Sequence, residues 1–409
     1  MSVLAAPDYP GFWIDDPVHR NFLRIEALAQ FHFFRKSLRG DGGFDVLGCD
    51  GTPQRRGPQE LHTTTRLVHS YALGHAIGVA GSDDIVDAGM AFLWKHHRDT
   101  THGGYMWGVT RDDVADGTKL AYGHMFVLLA ASSAKLAGHP DADRLLSDVT
   151  EVLNRHYWQA DFGLYRDEFT RDWQEFSRYR GMNANMHGVE AHLAAFEATS
   201  DPIYLDRAGK ILDFFVHRIA PNYGDRLPEH YNDQWQVDPT YAGNPMFRPA
   251  GSTPGHSLEL GRLCLQHWEL TGRPDTDAPA RARSLIETAI RTAWRRDGGF
   301  AYTLDLTGNV DISDRYWWPV AEGIGAMASL IKLDRHEADE DWYRKFWSFA
   351  HDHLIDHRHG GWFPELSDLT RPASHQFKGK PDIYHSVQAA LFPLPDGLSR
   401  LQTGLAAVM

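Results

Sequence analysis

Apolar and polar positions follow two different helical patterns that alternate along the chain. The segment 202–219 places its apolar side chains on one stripe and its charged ones elsewhere, which is typical of a surface helix with one buried face. The same pattern occurs at 142–157, 278–295 and 340–356. A second kind of helix is apolar on most sides and rich in Ala, Gly and Ser, which predicts that other helices enclose it. Its members include 64–79, 121–136 and 182–197. The alternation predicts an inner ring of helices wrapped by an outer ring.

A glycine-centred turn recurs between these helices about every 60 residues, and such a period indicates a repeat architecture. Its six copies are DGGFD at 41–45, HGGYMW at 102–107, DFGLYRDE at 161–168, NYGDRLPEH at 222–230, DGGFAY at 297–302 and HGGWFPE at 359–365. Because glycine readily adopts positive φ, each turn is predicted to form a short β-hairpin that links an outer helix to the next inner one. Six such units are expected to close a ring. The sequence therefore predicts an all-α fold: an (α/α)6 barrel of six helical hairpins, forming a single domain over residues 1–409, with short β-hairpins at its mouth.

Side chains that suit chemistry recur near the start of each enclosed helix, about 20 to 32 residues after its glycine turn. They are Arg66, His124, Asn183, His187, His256, Glu259, Trp318, Glu322 and His385. The repeat predicts that these residues meet at the N-terminal mouth of the inner ring. Helix N-termini carry unpaired N–H groups and partial positive charge, so this mouth is expected to favour an anion.

Composition and charge restrict the partners of this chain. The formal net charge of −13 at pH 7 argues against nucleic acid, which requires a basic surface, and no apolar run reaches the length of a membrane span. The first residues do not follow the pattern of a secretory signal, so the expected location is cytoplasmic. The two cysteines, Cys49 and Cys264, do not belong to a CxxC or other metal-binding motif and are predicted to be free thiols. The oligomeric state, monomer or homodimer, stays open.

Two histidines stand where an acid–base group would be useful. His256 and His385 each begin an enclosed helix after a turn-breaking segment, GSTPGH and KGKPDIYH respectively. Imidazole titrates near neutral pH and moves protons without a metal. Glu259 follows His256 by three residues on the same helical face and is placed to orient it. The alternative is that the two histidines are buried and hold helices in register.

The remaining candidates suit a ligand with many hydroxyl groups. His187 lies one turn beyond Asn183, and together they suit the hydroxyl groups of a sugar. Arg66 and Asn183 offer donors to a polarised oxygen. His124 fits substrate contact and packing about equally, and the segment 231–255 fits either a lid or a static connection. No phosphate-binding glycine loop, GxSxG elbow or HExxH motif occurs, so no nucleotide site or metalloprotease-type metal site is predicted.

Five ordered motifs give the chain a resemblance to a known family. They are the helix around Arg66, YRGMNANMHGVEA at 179–191, STPGHSLELGRL at 252–263, RYWWPVAEG at 315–323 and KPDIYHSVQAA at 380–390. Over residues 12–395 the chain resembles the N-acylglucosamine 2-epimerase superfamily, and within it the bacterial mannose isomerases and related aldose–ketose isomerases. The resemblance implies a sugar isomerase without metal or cofactor, in which His256 and His385 are the catalytic residues.

The resemblance also implies which residues surround the sugar. The positions that match the family's substrate shell are Arg66, Asn183, His187, Glu259 and Trp318. The chain departs from the family's pattern at Met246, where some relatives are expected to have a second arginine. Arg248 is the nearby candidate for that arginine's contact with the substrate. His124 and Glu322 complete the predicted set.

The implied reaction interconverts D-mannose and D-fructose, with D-lyxose and D-xylulose as a further pair. Removing the C2 proton of an open-chain aldose gives an enediolate, whose charge Arg66 is placed to stabilise. A 2-epimerase that converts D-mannose to D-glucose at the same site stays open. A glycoside hydrolase is a more distant alternative, since it needs two opposed carboxylates, for which Glu259 and Glu322 are the obvious pair. A protein-binding scaffold is disfavoured, because a closed ring lacks the extended concave surface of a solenoid.

Overall fold

Two concentric rings of helices make up the fold. The computed structural model describes residues 3–54, 57–367 and 371–408. In chain order its α-helices are α1 (Pro17–Phe34), α2 (Leu61–Ala76), α3 (Ser82–Phe92), α4 (Ala121–Leu136), α5 (Ala142–Val152), α6 (Met182–Thr199), α7 (Pro202–Leu212), α8 (Pro254–Leu270), α9 (Ala278–Ala293), α10 (Trp317–Leu333), α11 (Glu337–Phe349), α12 (Tyr384–Leu391) and α13 (Leu401–Val408). The even-numbered helices α2 to α12 form the inner ring, in which each packs on the next and α12 packs on α2. The odd-numbered helices α1 to α11 pack against them from outside. The predicted (α/α)6 barrel is therefore confirmed.

The two helix types are buried as their composition predicts. The predicted segment 121–136 coincides with α4, in which nearly every side chain is buried. The outer helix α5 buries only one face, which includes Leu145, Leu146 and Val149. Four outer helices continue into π-helical segments before their glycine turns, at Leu93–His97, Leu153–Tyr157, Asp213–Ile219 and Ala350–Leu354. These segments explain why the helical pattern in the sequence extends beyond the α-helices themselves.

Short strands and turns connect the helices. The strands are β1 (Val46–Leu47), β2 (Pro53–Gln54), β3 (Gln59–Glu60), β4 (Gly108–Val109), β5 (Val114–Asp116), β6 (Lys119–Leu120), β7 (Trp158–Gln159), β8 (Leu164–Tyr165), β9 (Glu168–Phe169), β10 (Arg180–Gly181), β11 (His230–Tyr231), β12 (Arg315–Tyr316) and β13 (Glu365–Leu366). They pair antiparallel in the orders β1-β2, β3-β4-β5, β6-β9, β7-β8, β10-β11 and β12-β13. Turns of 3-10 helix lie at Trp13–Asp15, Arg35–Ser37 and Ala220–Tyr223.

A series of backbone pairings joins each repeat to the next and closes the ring. The segment before an inner helix pairs with the segment that follows the next glycine turn: β3 with β4, β6 with β9, β10 with β11, Ser252 with Leu304, and β12 with β13. The last pairing joins Lys380, before α12, to Leu47, after the first turn. Buried N–H and C=O groups need partners, and these pairings supply them. They also hold the starts of the inner helices together in one ring.

Five of the six glycine turns are hairpins, as predicted. Antiparallel bridges flank them, joining Leu38 to Phe44, Arg98 to Tyr105, Trp158 to Tyr165, Trp294 to Phe300 and Ile355 to Trp362. The prediction is wrong for the fourth turn, where the 3-10 turn Ala220–Tyr223 leads into Gly224 at a φ of 63°. Pro221 has no N–H to offer a hairpin partner, and its fixed φ suits the start of a helical turn.

Buried lysines fasten two of these turns to the inner ring. Lys380 is fully buried, and its Nζ donates to Asp356 Oδ2 at 2.7 Å and to the carbonyl of Gly360 at 2.5 Å. At the second turn Lys119 pairs in the same way with Asp99, at 3.2 Å. A buried charge is costly unless it is paired and hydrogen-bonded, so each lysine and its carboxylate depend on each other.

The C-terminal helix packs at the other end of the inner ring. α13 contacts α2 and α4, and Glu269 and Glu197 accept the backbone N–H groups of Ser399 and Arg400 just before it. A small pocket of about 60 Å³ lies between this segment and Glu190. Among the helices of the described ranges, none has the length and hydropathy to cross a bilayer. Both cysteines are unpaired, as predicted.

We predict that Lys380→Met lowers the free energy of unfolding by about 3–5 kcal/mol, because it leaves the Asp356 carboxylate buried without its cation. Denaturant unfolding followed by tryptophan fluorescence measures the change. The matched control is Lys210→Met, which removes an exposed lysine paired with Asp206. This control should change stability by less than about 0.5 kcal/mol. Equal stability of the two variants would contradict the role given to the buried pair.

Candidate active site

Most residues singled out in the sequence meet inside the N-terminal mouth of the inner ring. The Trp318 ring contacts both candidate histidines, with its centroid 5.1 Å from that of His256 and 5.7 Å from that of His385. His187 and Glu259 approach each other to 3.6 Å between Nδ1 and Oε1. All of these side chains are buried except that of His256, which is 12% exposed. Helices α6, α8, α10 and α12 thus contribute to one cluster.

Each candidate histidine binds a carboxylate through the same ring nitrogen. His256 Nδ1 lies 2.8 Å from Glu229 Oε1, and His385 Nδ1 lies 2.8 Å from Glu322 Oε1. An ionised carboxylate only accepts hydrogen bonds, so the tautomer in which Nδ1 carries the proton and Nε2 keeps the lone pair fits both contacts. Each imidazole is therefore placed to accept a proton at Nε2 and, once protonated, to return it.

The prediction that Glu259 orients His256 is wrong. Glu229 does so instead, and the same oxygen also accepts the N–H of Thr253 at 3.2 Å. Glu259 lies on the same helix as His256, but its carboxyl group approaches His187. The spacing of three residues indicated a shared helical face without showing which other chain segment would reach the imidazole.

Sequence reasoning also missed Glu229, although a signal for it was present. Glu229 belongs to the turn motif NYGDRLPEH, and the preceding motif, DFGLYRDE, carries Asp167 at the equivalent place. Asp167 accepts the N–H of Gly181 at 2.8 Å, just as Glu229 accepts that of Thr253. Acidic residues that recur after the glycine turns therefore bind the segment that enters an inner helix.

Arg66 is fixed by two partners that the sequence analysis did not identify. Its Nη1 donates to Asp382 Oδ2 at 2.7 Å and its Nη2 to the Tyr122 hydroxyl at 2.8 Å. The guanidinium also lies over the Tyr384 ring, 4.9 Å from its centroid. Burial opposes its charge, but Tyr122 and Asp382 outweigh burial and raise the pKa of Arg66 above its usual value. Arg66 is therefore a permanent buried cation beside the histidines.

Three carboxyl groups from successive inner helices complete the cluster. Glu322 on α10 accepts from Arg262 Nη2 at 3.0 Å as well as binding His385. Glu190 on α6 accepts from the Tyr384 hydroxyl. Glu259 on α8 is fully buried, and neither of its oxygens has a hydrogen-bond partner among the described residues. Burial, together with the charges of Glu322 and Glu190, raises the pKa of Glu259 well above its usual value.

His187 lies between two of these carboxyl groups. Its Nδ1 is 3.5 Å from Glu190 Oε2 and 3.6 Å from Glu259 Oε1. Burial lowers the pKa of His187 to about 4, which leaves the ring neutral at pH 7. Donor atoms of His187, Glu190 and Glu259 lie within 4.8 Å of one another, a spacing that would admit a metal ion and that the sequence did not suggest. Metal ligation requires deprotonated ligands, so a metal ion at this place and a proton on Glu259 exclude each other.

Two other residues that were predicted to bind substrate, His124 and Arg248, are hydrogen-bonded to other groups of the protein. His124 is fully buried, with Nδ1 near the Leu120 carbonyl at 2.7 Å and Nε2 accepting from the Tyr105 N–H at 3.0 Å. His124 therefore packs in the protein interior, which is the second of the two roles considered for it, and it is not part of the cluster around His256 and His385. Arg248 donates to Glu168 at 2.7 Å and is not among the residues that contact the histidines. This ion pair ties the segment 231–255 to the third repeat.

The prediction that N–H groups at the starts of the inner helices are unpaired is wrong for the first N–H group of four of them. Carbonyl groups of the neighbouring repeat accept the first N–H of four inner helices: those of Leu61, Ala121, Met182 and Trp317 bond to Trp107, Asp167, Glu229 and Pro364. The pairings that close the ring use these donors.

Asn183, the second residue of α6, is half-buried, and its Oδ1 has no partner among the described residues. Its contact with a ligand stays a prediction.

Residues 42–389 match the model of the family described as N-acylglucosamine 2-epimerase (GlcNAc 2-epimerase), and the chain belongs to this family. It is 38% identical to the D-mannose isomerase of Thermobifida fusca over 405 residues, which are 97% of this chain and 99% of that protein. The chain is thus an isomerase.

Solved structures agree with this assignment. A crystal structure of D-mannose isomerase matches with a TM-score of 0.86 at 29% identity, covering 95% of this chain and 99% of that one. Cellobiose 2-epimerase from Spirochaeta thermophila matches with a TM-score of 0.81 at 23% identity, covering 92% of this chain and 96% of that one. At that identity the second likeness shows the fold alone.

We predict that Glu229→Gln lowers kcat by about 10²-fold or more while KM changes only a few-fold. The amide can turn its N–H group toward Nδ1 of His256, which moves the imidazole proton to Nε2 and removes the base. Steady-state kinetics with an aldose substrate measures the change. The control is Asp238→Asn, a carboxyl-to-amide change at a turn where Asp238 caps Thr240. It should be close to wild type, whereas equal losses in both variants would contradict the orienting role of Glu229.

Proposed function

We propose that the chain interconverts D-mannose and D-fructose by moving a proton between C2 and C1 of the open-chain sugar. The observation that carries the proposal is the pair of imidazoles, His256 and His385, each bound to a carboxylate and both in contact with Trp318. D-mannose isomerases that resemble nearly the whole chain support this choice of substrate. D-lyxose and D-xylulose lack only the C6 carbon of this pair, and we propose them as further substrates.

The reaction needs a base, an acid and a stabilised anion. One imidazole takes the C2 proton at Nε2, and its carboxylate partner stabilises the imidazolium that forms. The resulting enediolate carries negative charge on the sugar oxygens. Arg66 has five N–H donors, of which Asp382 and Tyr122 occupy two, so it can also stabilise this charge. Transfer of the O2 proton to O1, together with return of a proton to C1, yields the ketose, and the two imidazoles also serve as acid and base when the sugar ring opens.

Epimerisation at C2 is the closest alternative. It uses the same enediolate but returns a proton to the opposite face of C2, and the two histidines would serve that outcome as well. Glycoside hydrolysis is less well supported. It requires two opposed carboxyl groups across the glycosidic bond, but Glu322 is held by Arg262 and His385, and Glu259 approaches His187.

The deciding experiment is incubation of the enzyme with D-mannose in deuterated water, with the products resolved at early times by NMR. The proposal predicts D-fructose as the first product, labelled at C1, because an imidazole exchanges its proton with solvent before returning it. D-glucose labelled at C2 as the first and dominant product would replace this proposal with 2-epimerisation. Hydrolysis of aryl glycosides, with no turnover of D-mannose, would support the hydrolase instead.

The proposed reaction uses no metal and no cofactor. The same incubation after dialysis against a strong chelator is expected to run at an unchanged rate. A large loss of activity that divalent ions restore would contradict this part of the proposal and would direct attention to His187, Glu190 and Glu259.

A further inference from the structure

Glu259 differs from the two carboxyl groups beside it in having no donor to satisfy it. Glu322 accepts from Arg262 and lies against His385 Nδ1, and Glu190 accepts from the Tyr384 hydroxyl. Glu259 is as deeply buried as both, yet neither of its oxygens has a hydrogen-bond partner among the residues that the structure describes. An ionised carboxylate in that position would have lost its water without any replacement, which is strongly unfavourable.

We propose that Glu259 is a neutral carboxylic acid in the unliganded enzyme and donates its O–H to an oxygen of the bound sugar. The protonation of Glu259 is argued from the geometry and the charges of the cluster and does not depend on the proposed function. The identity of the ligand rests on the proposed function.

The charges around Glu259 favour the neutral form. The ionisable groups that face it are His187 and Glu190 on α6, Glu322 on α10, Arg262 on its own helix, Arg66 on α2, Tyr122 on α4 and Tyr384 on α12. Arg262 donates to Glu322 at 3.0 Å and Arg66 donates to Asp382 at 2.7 Å, so each cation is already paired. His187 is neutral because burial lowers its pKa to about 4. An ionised Glu259 would therefore add an uncompensated negative charge to a buried cluster.

A proton on Glu259 also gives the site a further hydrogen-bond donor. Polar atoms of α6 without partners in the described ranges include Asn183 Oδ1, an acceptor, and His187 Nδ1. A sugar hydroxyl both donates and accepts, so it can bridge such an acceptor and the acid. When negative charge develops on the sugar oxygens, a neutral acid O–H is a better neighbour than a carboxylate, which would repel that charge.

Infrared spectroscopy tests the protonation directly and needs no turnover. A protonated carboxyl group has a C=O stretch that is resolved from that of a carboxylate. The difference spectrum between wild type and Glu259→Gln, taken at pH 7 without sugar, is expected to contain the band of one protonated carboxyl group. In wild type this band is expected to shift when D-fructose or D-mannose is added. The control is Glu365→Gln, which removes a buried carboxylate that accepts two backbone N–H groups and should leave the band in place.

Kinetics tests the donor role separately. Glutamine keeps a neutral donor, so Glu259→Gln should retain kcat/KM within about tenfold of wild type, whereas Glu259→Leu should lose about 10²–10³-fold. Thermal unfolding of both variants identifies a loss that comes from misfolding. An equal loss in folded Gln and Leu variants would overturn the donor role. Absence of the infrared band, or a stoichiometric divalent ion in purified enzyme, would overturn the neutral acid. Failure of D-mannose to react would leave the infrared result standing and remove only the proposed substrate.

Discussion

The backbone pairings that close the ring are the constraint on which the site depends. They join the segment before each inner helix to the repeat that follows, and the pairing of Lys380 with Leu47 joins the last repeat to the first. Arg66 and Asp382 stand 316 residues apart in sequence, yet their side chains meet at 2.7 Å. The conformational entropy lost in bringing such distant residues together is shared by the whole ring, since each repeat is positioned by its neighbours.

Pairing of buried charges is the second requirement that shapes the site. Arg66 with Asp382 and Arg262 with Glu322 neutralise each other inside the inner ring. Because Glu322 also binds His385, the position of that imidazole is tied to Arg262 on another helix. His385 is thus held by a network that crosses several repeats, which suits chemistry that demands precise placement.

The repeat made the fold and much of the site predictable from sequence. The glycine turns marked the helix pairs, and the position of His256, His385 and Trp318 at inner-helix starts was enough to expect that they would meet. Partner choice was not predictable, because it depends on which segment of a neighbouring repeat reaches each side chain. Glu229 rather than Glu259 binds His256 for this reason.

Other predictions were wrong for reasons of local chemistry and packing. Pro221 replaced the fourth hairpin by a helical turn. The first N–H group of four inner helices, expected to be unpaired at the mouth, bonds instead to a carbonyl group of the neighbouring repeat. Arg66 donates to Asp382 and Tyr122, and only the closed ring brings the segments that carry these residues together.

The proposed function requires that two imidazoles act on one sugar. Turnover of D-mannose by His256→Ala and His385→Ala, measured separately and with the unfolding midpoint of each variant, tests this requirement. Both variants should remain folded, and each should lose about 10²–10⁴-fold in kcat, the usual contribution of a general acid or base. If either folded variant kept near-normal turnover, that histidine would have a packing role and the two-imidazole account would be wrong.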